Sequence, residues 1–157
     1  MIKSSALILT YNEEMNINEC IKSINTYISD IVVLDSGSTD NTIDICKKFK
    51  CRIYTNKFVT QMHQINWAIK NIDFKNEWIL RVDADERWSD EGLKKFTKII
   101  SDNKFDALYV KIRIFFRGKY LRFGGQSDND FLRAFKKNNF VNSKQWMDEH
   151  IAINGKI

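Results

Sequence analysis

Apolar residues in this chain come in two patterns, and the two alternate. Short unbroken runs have the length and continuity of strands covered on both faces: Ser4-Ser5-Ala6-Leu7-Ile8-Leu9, Ile31-Val32-Val33-Leu34 and Glu77-Trp78-Ile79-Leu80-Arg81-Val82. Between them, apolar positions recur at helical spacing. Asn16, with Glu19 three residues on, has the spacing of a capping box, and the stripe Ile17, Cys20, Ile21, Ile24 and Ile28 follows. A second helix is expected near Asn41 to Lys48, burying Ile43, Cys46 and Phe49, and Cys51 to Thr55 reads as a short third strand. Thr60 can cap a helix with the stripe Met62, Ile65, Ile69 and Ile72. Ser89 opens another, with Leu93, Phe96 and Ile100 inward. Strand–helix alternation predicts parallel strands joined by right-handed crossovers, an α/β fold. From Asp106 the pattern changes. Ala107 to Phe116 reads as one long strand and Asn129 to Phe135 as another, so the second half is β-rich and mixed. Ile151 to Ile153, Asn154-Gly155 and Lys156-Ile157 read as strand, hairpin turn and a return strand cut after two residues, as in a fragment of a longer protein.

The runs end in polar clusters. The first stops at Thr10-Tyr11-Asn12-Glu13-Glu14, the second at Asp35-Ser36-Gly37-Ser38-Thr39-Asp40, the third at Asp83-Ala84-Asp85-Glu86. In a parallel sheet these ends share one edge, where ligands bind. Two carboxylates one residue apart at a strand end attract a hard cation. Mg²⁺ or Mn²⁺ held by few protein oxygens keeps room for phosphate oxygens, so the implied ligand carries a diphosphate. Asp35 is placed to accept from ribose hydroxyls or a base N–H, or to cap a turn, a role that Asp40 fits better. Neither G-x-G-x-x-G nor G-x-x-x-x-G-K-[ST] occurs, which removes the dinucleotide fingerprint and the P-loop. Haloacid-dehalogenase-like phosphatases also place D-x-D after an apolar strand, but on the first strand, whereas here it follows three.

Composition narrows the class. The 157 residues suit one domain, and 43% hydrophobic with 13% aromatic residues suffices for a core. No apolar run approaches a membrane span, and the start shows no signal peptide. The net charge of +5 comes from 25 basic and 20 acidic residues, too small an excess to argue for nucleic acid. Lys and Arg concentrate between Lys104 and Lys144, interleaved with Phe and Tyr. That is either a solvated face or one that meets anions, including an anionic membrane surface. Cys20, Cys46 and Cys51 form no C-x-x-C and read as buried free thiols of a reducing compartment. With only His63 and His150, a structural zinc site is not expected.

Taken in order, the Thr10–Glu14, Asp35–Asp40 and Asp83–Glu86 clusters resemble the family 2 glycosyltransferases of GT-A fold, in particular the bacterial branch acting on lipopolysaccharide core and similar glycans. Gln64-Ile65-Asn66-Trp67-Ala68 and Leu132-Arg133-Ala134-Phe135 resemble two further segments of that family. The resemblance covers nearly the whole chain. It implies a Rossmann-like three-layer α/β/α sandwich with a mostly parallel sheet and a β-rich C-terminal part. It further implies a single catalytic domain, with 1–103 binding a nucleotide-sugar, UDP-sugars favoured, and 104–157 on the acceptor side. Thr10, Tyr11, Asn12, Glu13, Asp35, Gly37, Gln64, Asn66, Asp83 and Ala84 would hold the nucleotide, Gln64 and Asn66 being otherwise helix-surface amides. Asp85, with Asp83, would ligate Mg²⁺ or Mn²⁺. Glu149, supported by Asp148, would be the base that deprotonates an acceptor hydroxyl, and His150 would ligate the metal or bind a phosphate. The expected activity is single, inverting sugar transfer to a glycan or lipid-linked acceptor in cell-surface polysaccharide synthesis, in the cytoplasm or at the inner membrane face. The other reading is a non-catalytic nucleotide-sugar-binding remnant of such a domain.

Overall fold

The computed structural model describes residues 2–121, 130–141 and 151–157. Four strands alternate with helices: β1 (Ile2–Thr10), α1 (Ile17–Asn25), β2 (Ile28–Asp35), α2 (Thr42–Lys48), β3 (Arg52–Thr55), α3 (Gln61–Asn71), β4 (Trp78–Asp83) and α4 (Asp90–Ser101). The β-rich part follows: β5 (Ala107–Lys111), β6 (Phe115–Phe116), β7 (Lys119–Tyr120), β8 (Asp130–Lys136), a 3₁₀ turn (Lys137–Asn139), β9 (Phe140–Val141) and β10 (Ala152–Ile153). Six strands form one sheet in the order β3-β2-β1-β4-β8-β5. The first four are parallel, and β8 runs antiparallel to both neighbours.

Alternation along the strands splits the core in two. Ala6, Ile8, Ile31, Val33, Trp78, Leu80 and Val82 face α1, α2 and α4. Leu7, Val32, Leu34 and Ile79 face α3, whose Met62, Ile65 and Ala68 cover them. The layers are α/β/α, as expected. On the first face Trp78 meets Phe96 edge-on at 6.3 Å between centroids, which seats α4. The chain goes from β1 outward to β2 and β3, then crosses by α3 to β4 on the far side of β1. The strand order therefore reverses between β1 and β4, and a crevice opens there at the C-terminal ends of the strands.

Several local expectations are corrected. Asn16 does precede α1, but its side chain caps no N–H. Its amide donates to Glu13 at 2.9 Å, while Glu19 pairs with Lys22, so no capping box forms. Ile28 leaves the helical stripe because α1 stops at Asn25, and it opens β2 beside β1. In α2, Ile45 rather than Ile43 packs on the core with Cys46 and Phe49. The long strand from Ala107 is broken at Lys111. Phe115–Phe116 folds back on Lys119–Tyr120 through Arg117 and Gly118, both at positive φ. Asn154-Gly155 turns no hairpin. Ala152–Ile153 pairs instead with Phe140–Val141, and Lys156 goes on to bond Asp106, its carbonyl accepting from Asp106 N at 2.7 Å. A Cβ on Gly155 would lie 2.5 Å from the Asp106 carboxylate, so this closure requires glycine. The caps at Thr60 and Ser89 form as expected, accepting from His63 N and Gly92 N. Among the described residues no helix is long and apolar enough to cross a membrane.

Candidate active site

The three polar clusters meet at the crevice. Register places Thr10 of β1 opposite Asp35 of β2, and Leu9 opposite Asp83 of β4. Two loops are laced together there. Asn12 takes a φ of +52°, which asparagine tolerates. Its N–H donates to the Ser38 hydroxyl at 2.9 Å, and its side-chain oxygen accepts from Thr39 N at 2.8 Å. Glu13 N donates to Thr42 Oγ1, and Glu14 N to Asp40. Asp40 also accepts from the N–H and hydroxyl of Thr42 at the start of α2, so it is the turn-capping aspartate the sequence suggests. Tyr11 projects from this frame with 58% of its surface exposed.

Asp35 is buried. Its carboxylate accepts from Gly37 N at 2.8 Å, Ser38 N at 2.9 Å and the Ser38 hydroxyl at 2.5 Å. Gly37, at φ +100°, turns these donors onto it. Asp35 thus builds its own loop, and any contact with a nucleoside comes from a carboxylate already held in place. Gln64 is no surface amide. It is 2% exposed, its oxygen accepts from Asn56 Nδ2 at 2.8 Å, and its nitrogen donates to Asn56 O and Ser36 Oγ. It ties the ends of β2 and β3 together. Asn66, also on α3, is half-buried.

The Asp83–Glu86 turn rests on two buried arginines that the sequence reading left inside strands. Arg81, 1% exposed, contacts both oxygens of Asp83 at 3.2 and 3.1 Å. Arg133, 4% exposed, contacts Asp83 at 3.0 Å and Glu86 at 2.5 Å. Gln61 adds a longer contact to Asp83 at 3.3 Å. Burial pushes the Glu86 carboxyl up, against the pull of Arg133. Asp83 N donates to Glu86, and Glu86 N to the Asp83 carbonyl, so the turn closes on itself. Ala84 is buried beneath it, and the Cys20 thiol points at the Asp83 carbonyl. Burial pushes the thiols of Cys20 and Cys46 up to about 12 and that of Cys51 to about 11, which makes them inert neutral packing groups. A cation in the middle of an apolar strand, two residues before an aspartate on the same face, was the available signal for Arg81.

Asp85 is the exception in this turn. It is exposed and has no hydrogen-bond or ion-pair partner among the described residues. Among those residues no three His, Cys, Asp or Glu side chains converge on one point. The described donor set therefore does not cage a metal by itself. One free carboxylate beside a partly open one does fit Mg²⁺ or Mn²⁺, which take one or two carboxylates and fill their shell with water and phosphate oxygens. Asp148, Glu149 and His150 lie outside the described residues.

Residues 5–153 match the family described as Glycosyl transferase family 2. The chain belongs to that family. Its relatives include an uncharacterized glycosyltransferase of Rickettsia typhi, 31% identical over 121 residues, which span 75% of this chain and 41% of that protein. The prophage-derived glycosyltransferase SunS of Bacillus subtilis is 29% identical over 85% of this chain and 31% of its own length. Among solved structures, Staphylococcus aureus TarS in complex with UDP-GlcNAc superposes with a TM-score of 0.59 at 27% identity, over 76% of this chain and 37% of the TarS chain. This family 2 chain thus spans about two fifths or less of the length of these relatives, and its fold is of the GT-A type. No lipopolysaccharide-specific branch stands out among these relatives.

Proposed function

We propose that this family 2 chain is the donor-binding catalytic part of a metal-dependent, inverting glycosyltransferase that uses a UDP-sugar. The observation that carries the reading is the juxtaposition of Thr10, Asp35 and Asp83 at one switch point, with Asp85 exposed at its mouth and without a partner among the described residues. The likeness to TarS, solved with UDP-GlcNAc, supports a uridine nucleotide. In this reading the Thr10–Glu13 loop, Asp35 and Gly37 frame the nucleoside, and the exposed Tyr11 ring offers it a flat face. Gln64 and Asn66 hold the loops around it. Asp85, with Asp83 beside it, holds Mg²⁺ or Mn²⁺, whose chemistry when bound is to neutralise charge on the departing diphosphate. Glu149, supported by Asp148, would take the proton of the attacking hydroxyl, and His150 would ligate the metal or bind a phosphate. Residues 1–103 would serve the donor and 104–157 the acceptor.

The same reading extends to the acceptor, a hydroxyl of a cell-surface glycan or lipid-linked saccharide, lipopolysaccharide core among them. TarS, described as a poly(ribitol-phosphate) β-N-acetylglucosaminyltransferase and 29% identical over 72% of this chain, supports a polymeric acceptor. The exposed Lys111, Arg113, Arg117 and Lys119, with no acidic residue between Ala107 and Leu121, support a peripheral contact with anionic lipid on the cytoplasmic face.

Calorimetric titration with UDP-GlcNAc tests the donor assignment, with affinity expected to rise when Mn²⁺ is added. Equal, unmeasurable binding with and without the ion would sink it. Glu149→Gln keeps the shape of the base but cannot accept a proton. It is expected to lower sugar transfer by about 10²–10⁴-fold with donor affinity unchanged. Near-normal turnover would remove Glu149 from the chemistry.

A further inference from the structure

Arg133 is an unusual side chain to bury. The residue is 4% exposed, and its Nε and Nη1 have no hydrogen-bond partner among the described residues. Buried unpaired N–H groups are a cost that a hydrophobic side chain of similar size would not carry. The backbone that delivers it is irregular as well. Ala134 pairs with Leu108, but Leu132 pairs with Tyr109, so β8 has one residue more than β5 across this stretch, and that residue is Arg133. Leu132 and Phe135 consequently pack into the same apolar cluster, which strict alternation forbids. A bulge of this kind re-aims a side chain. Here the re-aimed group ends between Asp83 and Glu86, with its Nη2 on both carboxylates.

We propose that Arg133 is the positioning residue of the Asp83–Glu86 turn and that it sets the affinity of this turn for the metal–diphosphate part of the donor, not for the nucleoside. The proposal rests on the donor-binding reading above. Arg81 reaches Asp83 from the same strand, two residues away. Among the described residues, Arg133 is the cation that bridges Asp83 and Glu86, and it comes from a strand about fifty residues later. Without it two carboxylates flanking Asp85 repel one another, and the turn spreads. With it their charges are balanced, and the carboxylate without a partner among the described residues is that of Asp85, which is exposed. Arg133 itself is too buried to be a ligand-binding group, so its effect passes through the carboxylates it holds.

The experiment compares wild type, Arg133→Met and Arg133→Lys by calorimetry with two probes, UDP plus Mn²⁺ and uridine in EDTA, and by circular dichroism for folding. Arg133→Met is expected to weaken Mn²⁺-dependent UDP binding at least tenfold while uridine affinity stays within twofold. Arg133→Lys, which keeps the charge but not the fork, should recover part of the loss. Unchanged UDP–Mn²⁺ affinity in Arg133→Met, or equal losses for both probes, overturns the proposal. If Arg133→Met does not fold, Arg133→Lys is judged against wild type by the same two affinities: a selective loss for UDP plus Mn²⁺ supports the proposal, and no loss or equal losses overturn it. Wild type that binds no UDP with Mn²⁺ overturns the donor reading itself. Wild-type binding with a normal Arg133→Met overturns the positioning role alone.

Discussion

Asp35 and Asp85 are carboxylates at the ends of β2 and β4, on either side of β1, with opposite surroundings, and their substitutions should fail in opposite ways. Asp85 touches no partner among the described residues, so Asp85→Ala should leave the melting temperature within about 1 °C, as for surface changes generally. It should still lower Mn²⁺-dependent UDP affinity at least about tenfold, which is about 1.4 kcal/mol. Calorimetry with and without EDTA reads this, and unchanged affinity would remove Asp85 from the metal. Asp35→Ala removes the charged acceptor of two backbone N–H groups and a hydroxyl in a part-buried loop, which should cost about 1.5–3 kcal/mol of stability. Because the loop that frames the nucleoside loosens with it, uridine affinity in EDTA should fall as well. Urea unfolding and uridine titration of the same variant check both. A loss of uridine affinity with full stability would mean that Asp35 acts on the nucleoside alone. Both residues were legible as strand-end carboxylates. Which one was already satisfied was not legible, because that depends on the direction of N–H groups in a loop turned by Gly37.

At the scale of elements, the opposite edge of the sheet carries a device that has nothing to do with ligand. Asp30 of β2 is buried at 2% exposure and joins three neighbours: Ser5 of β1, Arg52 of β3 at 2.9 Å, and Lys75 N ahead of β4. Burial pushes its carboxyl up, but hydrogen bonds from Arg52, Ser5 and Lys75 N outweigh this, and the net shift is downward. A depressed carboxylate contributes stability that is fully present above its unfolded value, near 4, and is lost as pH falls through the lower folded value. Wild type should therefore keep this contribution down to about pH 4 and lose it below. Arg52→Met leaves the buried charge without its cation, and at pH 7 it should cost about 3 kcal/mol, the low end for buried pairs because Arg52 is 27% exposed. In that variant the loss of Arg52 raises the carboxyl relative to wild type, so protonation relieves the cost. The deficit should shrink as pH falls from 7 towards 4, as urea unfolding at several pH values would show. A deficit that is constant with pH would mean that packing rather than charge is lost. The helices and the first four strands were readable from apolar spacing alone. The breaks were not. The stop of α1 before Ile28, the split of the strand after Lys111 and the bulge at Arg133 are set by pairing partners distant in sequence.

For the molecule as a whole, a ligand that binds only the native state raises its stability by about 2.7 kcal/mol at a hundredfold excess over Kd. For a domain of this size that corresponds to a rise of about 5–10 °C in melting temperature. UDP-GlcNAc with Mn²⁺ is expected to give such a shift, Mn²⁺ alone or UDP-GlcNAc in EDTA much less. Equal shifts from all three would dissociate nucleotide binding from the metal. The crevice that should receive this ligand follows from two separate levels of information. The sequence by itself determined the alternation of strands and helices, the polar ends of β1, β2 and β4, and the absence of a glycine cradle for phosphate. These are local matters: apolar period, capping residues and the chemistry of strand ends are written in neighbouring positions. Only the tertiary structure decided that β4 crosses to the far side of β1 and so opens the crevice between Thr10 and Asp83. It also decided that Gln64 is buried between two strand ends, and that Lys156 closes on Asp106 instead of turning a hairpin. The same holds for Arg133 of β8, which reaches back to neutralise Asp83 and Glu86 and leaves Asp85 as the carboxylate without a partner among the described residues. Each of these joins residues tens of positions apart, and no local pattern encodes which buried charge will find which partner until the sheet has assembled.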